Sequence, residues 1–361
     1  MELKTSKQIK SIKAYEPGKP ISELERDYGI KDAVKLASNE NPIGHSLFVI
    51  DAVKEHLKFM NRYPDPRGHE LIMALADKYN VGLENIVIGN GSDEIISLLS
   101  NAFLDNGQEA LMPLPSFLMY EICVKIAKGT PVMVPLKDFQ IDFNTMLKKI
   151  NTNTRMVFLT NPFNPTGNIF TEYDFLEFAK KIPENILIIM DEAYIEFVKD
   201  SSCFNSLKHP LADNRIVTLR TFSKAYGLAG FRLGYGIMDS SIASIIHKIR
   251  PPFNVNSLAQ AAGLAALNDV EFLEKSVAFI LDGLRFIKTQ LDEMGLEYQP
   301  SHSNFLMINV KKDSTKVFND LLRLGVIVKS MKSYGFENWI RVNAGTQNEN
   351  KSFIKALKKV I

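Results

Sequence analysis

Residues 155–191 read RMVFLTNPFNPTGNIFTEYDFLEFAKKIPENILIIMD, and this stretch decides the fold. Its two short apolar runs, 155–159 and 186–190, have strand length and strand composition. Between them Thr171 and Asp174 open a helix that runs to Lys180. Strand, helix, strand is the unit of a parallel sheet. Working outward, similar runs lie at 86–88, 109–112, 131–135, 216–219 and 232–237, with helical patterns in most gaps between them. One pattern starts at Ser92-Asp93-Glu94 and places Ile95, Ile96, Leu98, Leu99, Ala102 and Phe103 on one face, with Gly107 past its end. The predicted class is therefore α/β, a doubly wound and mostly parallel sheet whose ligands sit at the carboxyl ends of the strands. Beyond 316 the pattern changes: a helix at 317–324 capped by Gly325, strands at 326–328 and 339–342, and a helix at 351–361 form a smaller α+β lobe.

A chain of 361 residues exceeds one ordinary core, so two lobes are expected, and 45% hydrophobic with 23% charged residues excludes disorder. The 43 basic and 41 acidic residues nearly cancel, and no basic run lies among aromatics, which argues against nucleic acid as a partner. Cys123 and Cys203 belong to no C-x-x-C pair, and the six histidines lack metal-ligand spacing, so no disulfide framework or metal site is expected. No apolar run approaches membrane-spanning length and residues 1–13 lack a secretory core, so a cytoplasmic protein acting on small molecules, with no membrane partner, is expected.

Four segments fall at predicted strand ends: Gly89-Asn90-Gly91-Ser92-Asp93-Glu94, Asn161-Pro162-Phe163-Asn164-Pro165-Thr166-Gly167, Asp191-Glu192-Ala193-Tyr194, and the stretch 221–232, which contains Ser223-Lys224 and Arg232. Each has an ordinary use as well. Asp191 could cap the next helix, the Asn-Pro pairs are turn chemistry, Phe117 could be core, and Arg341 on a predicted strand could face solvent. A lysine that attacks a carbonyl must shed its proton, which near neutral pH needs burial or a neighbouring cation. Arg232, eight positions on, is a candidate for that cation. Gly89-x-Gly91 is a poor dinucleotide turn because position 94 is Glu, so a nicotinamide dehydrogenase is disfavoured.

Together the four segments resemble the fold-type I pyridoxal-phosphate aminotransferases, with Lys224 where that family carries its Schiff-base lysine. The resemblance implies a seven-stranded, mostly parallel sheet in a large domain at 46–265. A smaller domain would comprise 1–45 and 266–361, with 259–267 as the long helix that bridges the two. It implies pyridoxal 5'-phosphate as cofactor, Lys224 as the attachment point and general base, Asp191 at the pyridine nitrogen, and Asn161 and Tyr194 at the ring oxygen. Phe117 would stack on the ring. Ser92, Asp93, Ser223, Arg232 and Tyr63 of a neighbouring subunit would hold the phosphate, so a homodimer with shared active sites is implied. Arg341, Asn39, Asn161 and Tyr63 would meet the substrate, an amino donor or a 2-oxo acid.

The flanking pieces, Tyr15-Glu16-Pro17-Gly18-Lys19-Pro20, Leu36-Ala37-Ser38-Asn39-Glu40-Asn41-Pro42, 61–68, Ser303-Asn304-Phe305 and 340–346, resemble most closely the histidinol-phosphate aminotransferases. That implies exchange of an amino group between L-histidinol phosphate and 2-oxoglutarate. Lys329 stands where many relatives carry Arg, which weakens a bidentate phosphate contact there. Aromatic-amino-acid aminotransferases and threonine-phosphate decarboxylases share the scaffold. A cofactor-sensing regulatory module is disfavoured because Lys224 is present.

Overall fold

The computed structural model describes residues 5–12, 24, 26 and 29–361. The motif at 15–20 lies outside them. Twelve strands occur among the described residues: β1 (Val34–Lys35), β2 (Ile86–Asn90), β3 (Glu109–Leu114), β4 (Thr130–Pro135), β5 (Thr154–Thr160), β6 (Leu187–Asp191), β7 (Ile216–Thr221), β8 (Leu233–Ile237), β9 (Phe305–Asn309), β10 (Val326–Ile327), β11 (Lys329–Ser330) and β12 (Trp339–Asn343). Seven of them form one sheet in the order β2-β8-β7-β6-β5-β3-β4, and only β8 runs against its neighbours. The seven apolar runs are these seven strands.

The middle of the sheet is dry on both faces, which is why its strands read as near-continuous apolar runs. Ile189 and Phe158 pack under the helices Ser92–Phe103 and Leu118–Ile126, while Val157 and Ile188 pack on the opposite side against Phe175 and Phe178 of the helix Glu172–Ala179. Each such side chain removed from water contributes about 1.5–3 kcal/mol. The capping box read from Thr171 and Asp174 forms: Thr171 Oγ1 accepts from the Asp174 amide, and the Asp174 carboxylate receives the Thr171 amide. In register, Thr160 lies beside Asp191 and Asp191 beside Leu219, so the motif residues share one edge of the sheet.

The second lobe is an antiparallel sheet, β11-β12-β9, covered by the helices Val270–Glu293, Ser314–Arg323 and Gln347–Val360. β1 pairs in parallel with β10, which attaches the segment ahead of the first large helix to this lobe. The apolar run 326–328 is split. Val326 and Ile327 pair with β1, and after Val328 the chain changes partner, so that Lys329 faces Arg341 of β12.

The bridging helix is not at 259–267. The helix Ser257–Asn268 buries Ala259, Ala262 and Ala266 in the core of the large lobe, where a Cβ on Gly263 would lie 2.4 Å from Leu233. Its small side chains serve close approach. Asp269 ends it and caps the next helix by accepting from the Phe272 amide. That next helix, Val270–Glu293, has 24 residues and buries Val277, Ile280, Leu284, Ile287 and Leu291 in the small-lobe core. Its Leu273 packs on both cores, so the long helix carries the junction.

Candidate active site

A cleft of about 400 Å³ opens at the carboxyl ends of β5, β6 and β7, roofed by Ser38 and Glu40 from the N-terminal segment. Lys224, on the turn after β7, lies on its floor. The Lys224 ammonium donates to the Ser38 carbonyl at 3.2 Å and sits 5.8 Å from the Tyr194 ring centroid. Burial, and then the Arg341 charge, pull its pKa down to about 8, against the opposing pull of Glu40 and Asp93. Arg232, the cation expected from the sequence, is the smallest of these influences. It is paired with Asp93, Nη2 to Oδ2 at 3.3 Å, so its charge is largely cancelled at Lys224. Among the described residues no carboxylate pairs with Arg341: its guanidinium donates to the Asn164 side-chain oxygen and to the Ala37 carbonyl, and lies over the Phe305 ring.

Asp191 ends β6 and is 6% exposed as a residue. Oδ2 accepts the Tyr120 hydroxyl at 2.6 Å and Oδ1 accepts the Ala193 amide at 3.1 Å. Burial pushes its pKa up to about 6, and these two donors hold it from rising further. The Ala193 contact is a local turn bond of the kind Asp often makes, so the ordinary use and the open carboxylate coexist. Three residues on, the buried Tyr194 hydroxyl accepts from the Asn39 amide at 2.9 Å. Asn39, held at φ 56° by the Asn343 side chain, is thus one bond from the cleft.

At the other end, the helix Ser92–Phe103 begins with Gly91 at φ 77°, pointing the first amides toward the cleft. A Cβ on Gly91 would lie 2.8 Å from Arg232 Nη2, so this glycine leaves the space in which the guanidinium turns toward the helix start. Arg232 is not the first residue of the strand, as the pattern 232–237 predicts. It takes a left-handed φ of 56° before β8, which turns its side chain out of the pleat. Ser223 and Ser92 complete this end. The Asp93 carboxylate is occupied by Arg232 and repels anions, so the expectation that Asp93 holds a phosphate survives only for its backbone amide.

Lys224, Asp191, Tyr194, Ser92, Asp93, Phe117, Ser223 and Arg232 therefore share one cleft. Four expected residues do not line it: Asn39, one hydrogen bond away, and Asn161, Tyr63 and Arg341. Asn161 is fully buried and turned into the protein: its amide donates to the Phe204 carbonyl at 2.8 Å and its oxygen accepts from the Phe170 amide at 3.1 Å, leaving nothing for a ligand. Asn164, the other Asn-Pro residue, lines the cleft instead and bonds Arg341. The Asn161–Pro162 bond is cis and the Asn164–Pro165 bond trans. Tyr63 is 82% exposed and stacked on Phe253 at 4.6 Å, away from this chain's own cleft. Arg341 is buried rather than solvated, and reaches the cleft through Asn164.

Sequence reasoning missed Tyr120, Thr160 and Glu40, all at the cleft. Tyr120 had a signal: it follows Phe117 by three positions at a helix start, which puts both rings on one face.

Residues 31–357 match the family model of aminotransferase class I and II. A histidinol-phosphate aminotransferase of Desulfotalea psychrophila is 43% identical over 360 residues, 99% of this chain and 95% of that protein. The histidinol-phosphate aminotransferase 2 of Carboxydothermus hydrogenoformans is 45% identical over 359 residues, 98% of each. The crystal structure of histidinol-phosphate aminotransferase from Sinorhizobium meliloti in complex with pyridoxal-5'-phosphate superposes with a TM-score of 0.91 at 27% identity, covering 100% of this chain and 98% of that one.

Proposed function

The chain belongs to the class I and II aminotransferase family, and we propose that it transfers an amino group from L-histidinol phosphate to 2-oxoglutarate on pyridoxal 5'-phosphate, forming imidazole-acetol phosphate and L-glutamate for histidine biosynthesis. Full-length similarity above 40% to proteins of that name carries the substrate. The donor set in the cleft supports the cofactor. One end offers a helix N-terminus, hydroxyls and a guanidinium, suited to a phosphate. The other offers a buried carboxylate suited to a cationic ring nitrogen, and an amine of lowered pKa lies in the same cleft.

When bound, pyridoxal phosphate supplies a carbonyl for covalent attachment and a ring that takes up electron density as a substrate Cα–H proton leaves. The chain's own residues do the rest. With a pKa of about 8, roughly one Lys224 amine in ten is neutral at pH 7, against fewer than about one in a thousand at 10.5. The neutral amine is the nucleophile and the base that carries the proton across the cleft. Asp191 would keep a proton on the ring nitrogen. Tyr194 and Asn164 would serve the ring-oxygen side in place of Asn161, and Phe117 would cover the ring face. Ser92, Ser223, Arg232 and the Asp93 amide would hold the phosphate. Arg341, fixed through Asn164, orients the anionic end of either substrate, and Asn39 holds the Tyr194 hydroxyl in place.

We further infer a cytoplasmic homodimer in which Tyr63 serves the neighbouring subunit's cleft. Exposed Leu47, Phe48, Phe59, Met60 and Tyr63 support it, being large apolar side chains, close in sequence, that a second copy would cover. Among the described residues no helix is long and apolar enough to cross a membrane.

The test is steady-state turnover of histidinol phosphate, phenylalanine and phosphothreonine with 2-oxoglutarate. The proposal expects histidinol phosphate to have the highest kcat/KM. Preference for phenylalanine, or carbon dioxide release from phosphothreonine, would overturn the substrate assignment.

A further inference from the structure

At the wall of the cleft, Tyr120 is fully buried and occupies a position no recognised motif accounts for. Its ring stacks on Phe158 with centroids 4.7 Å apart and meets the edge of Phe117 at 5.6 Å, so it cannot swing away. Its hydroxyl lies 2.6 Å from Asp191 Oδ2 and 2.9 Å from Thr160 Oγ1. A phenol has one proton. The shorter contact, to an ionisable carboxylate, takes it, and Thr160 then donates to Tyr120. The result is a directed chain from Thr160 to Tyr120 to Asp191, and such chains strengthen each member by polarisation.

We propose that Tyr120, supported by Thr160, is a positioning residue for Asp191: its hydroxyl keeps the buried carboxylate ionised and fixed in plane, leaving the remaining lone pairs to the cleft. The inference rests on the reading of Asp191 as partner of the cofactor's ring nitrogen. Without the phenol, the Ala193 amide is the one donor left on the carboxylate among the described residues, and Oδ2 is no longer held. Of the ionisable groups around Asp191, Asp93 from the helix Ser92–Phe103, the adjacent Glu192 and Tyr194 oppose its ionisation when negatively charged, while the cations Lys224 and Arg232 line the same cleft and favour it. Among the described residues none of these bonds the carboxylate, so none replaces the hydrogen bond that Tyr120 supplies.

The experiment uses Tyr120→Phe, Thr160→Val and Asp191→Asn in the full chain, each with and without pyridoxal phosphate. In the cofactor-free protein, carbon-13 NMR of labelled aspartate follows the Asp191 carboxyl, assigned by its loss in Asp191→Asn. In Tyr120→Phe its titration midpoint should move up by about tenfold in proton affinity, and in Thr160→Val it should move the same way by less. Pyridoxal phosphate should dissociate about tenfold more readily from Tyr120→Phe. An unmoved Asp191 midpoint in Tyr120→Phe overturns the inference; should that variant fail to fold, an unmoved midpoint in Thr160→Val does so. Wild-type affinity for pyridoxal phosphate in Asp191→Asn would overturn the reading of Asp191 itself, a separate failure.

Discussion

Replacing Lys224 by Met should stabilise the cofactor-free protein while abolishing transamination. The ammonium is held where burial and the Arg341 charge favour its neutral form, with a pKa of about 8 against the ordinary lysine value of 10.5. At about 1.4 kcal/mol per tenfold change in proton affinity, that fall corresponds to about 3 kcal/mol. Water reaching the cleft lowers the effect to about 2 kcal/mol. The sign follows from linkage: between pH 8 and 10.5 the unfolded chain binds a proton that the folded one does not, so stability contributed by this site rises with pH. Below pH 8 the penalty is fully present, and above 10.5 it is gone. Methionine has a similar shape and no charge. Urea unfolding of wild type and Lys224→Met, followed by circular dichroism, should show the variant more stable by about 2 kcal/mol at pH 7, with the gap closing by pH 10.5. A gap of equal size at both pH values, or a less stable variant at pH 7, would refute the argument that this amine is destabilised by its surroundings.

The two Asn-Pro residues should separate stability from chemistry. Asn161→Ala strands the Phe204 carbonyl and the Phe170 amide and should cost about 2–4 kcal/mol in urea unfolding, whereas Asn164→Ala frees a single Arg341 donor at the cleft wall and should cost less, about 1 kcal/mol, while lowering kcat/KM at least tenfold. Arg341→Gln removes a cation from beside Lys224, so the Lys224 pKa rises and the acid limb of the pH–rate profile moves to higher pH; Arg341→Lys keeps the charge and should leave that limb in place while raising KM for both substrates. Arg220→Met should cost about 3–5 kcal/mol in urea unfolding, because the fully buried Glu192 carboxylate, bonded to Arg220 Nε at 2.9 Å, would be left without its cation.

Where one rule governed a residue, the sequence was sufficient. The seven apolar runs are strands because a sheet covered on both faces leaves no polar alternation to confuse the pattern. Thr171 and Asp174 start a helix because their side chains satisfy amides within three residues of themselves. Both are local or near-local demands. The Ala-rich segment 259–267 misled for the opposite reason: small residues mark close packing, and which element they pack against is a long-range fact.

From the order of residues alone came the doubly wound sheet, the edge of it that carries chemistry, and most of the side chains that meet there, since strand ends and turn residues are dictated by nearest neighbours along the chain. Tertiary structure alone chose Asn164 over Asn161, and made Arg341 rather than Arg232 the main charge acting on Lys224. It also set Tyr120 against Asp191. Those outcomes depend on burial and on distances between residues far apart in sequence, Asn164 and Arg341 or Tyr120 and Asp191. Desolvation and Coulomb interactions follow separation in space, and the folded chain is the first place where that separation exists.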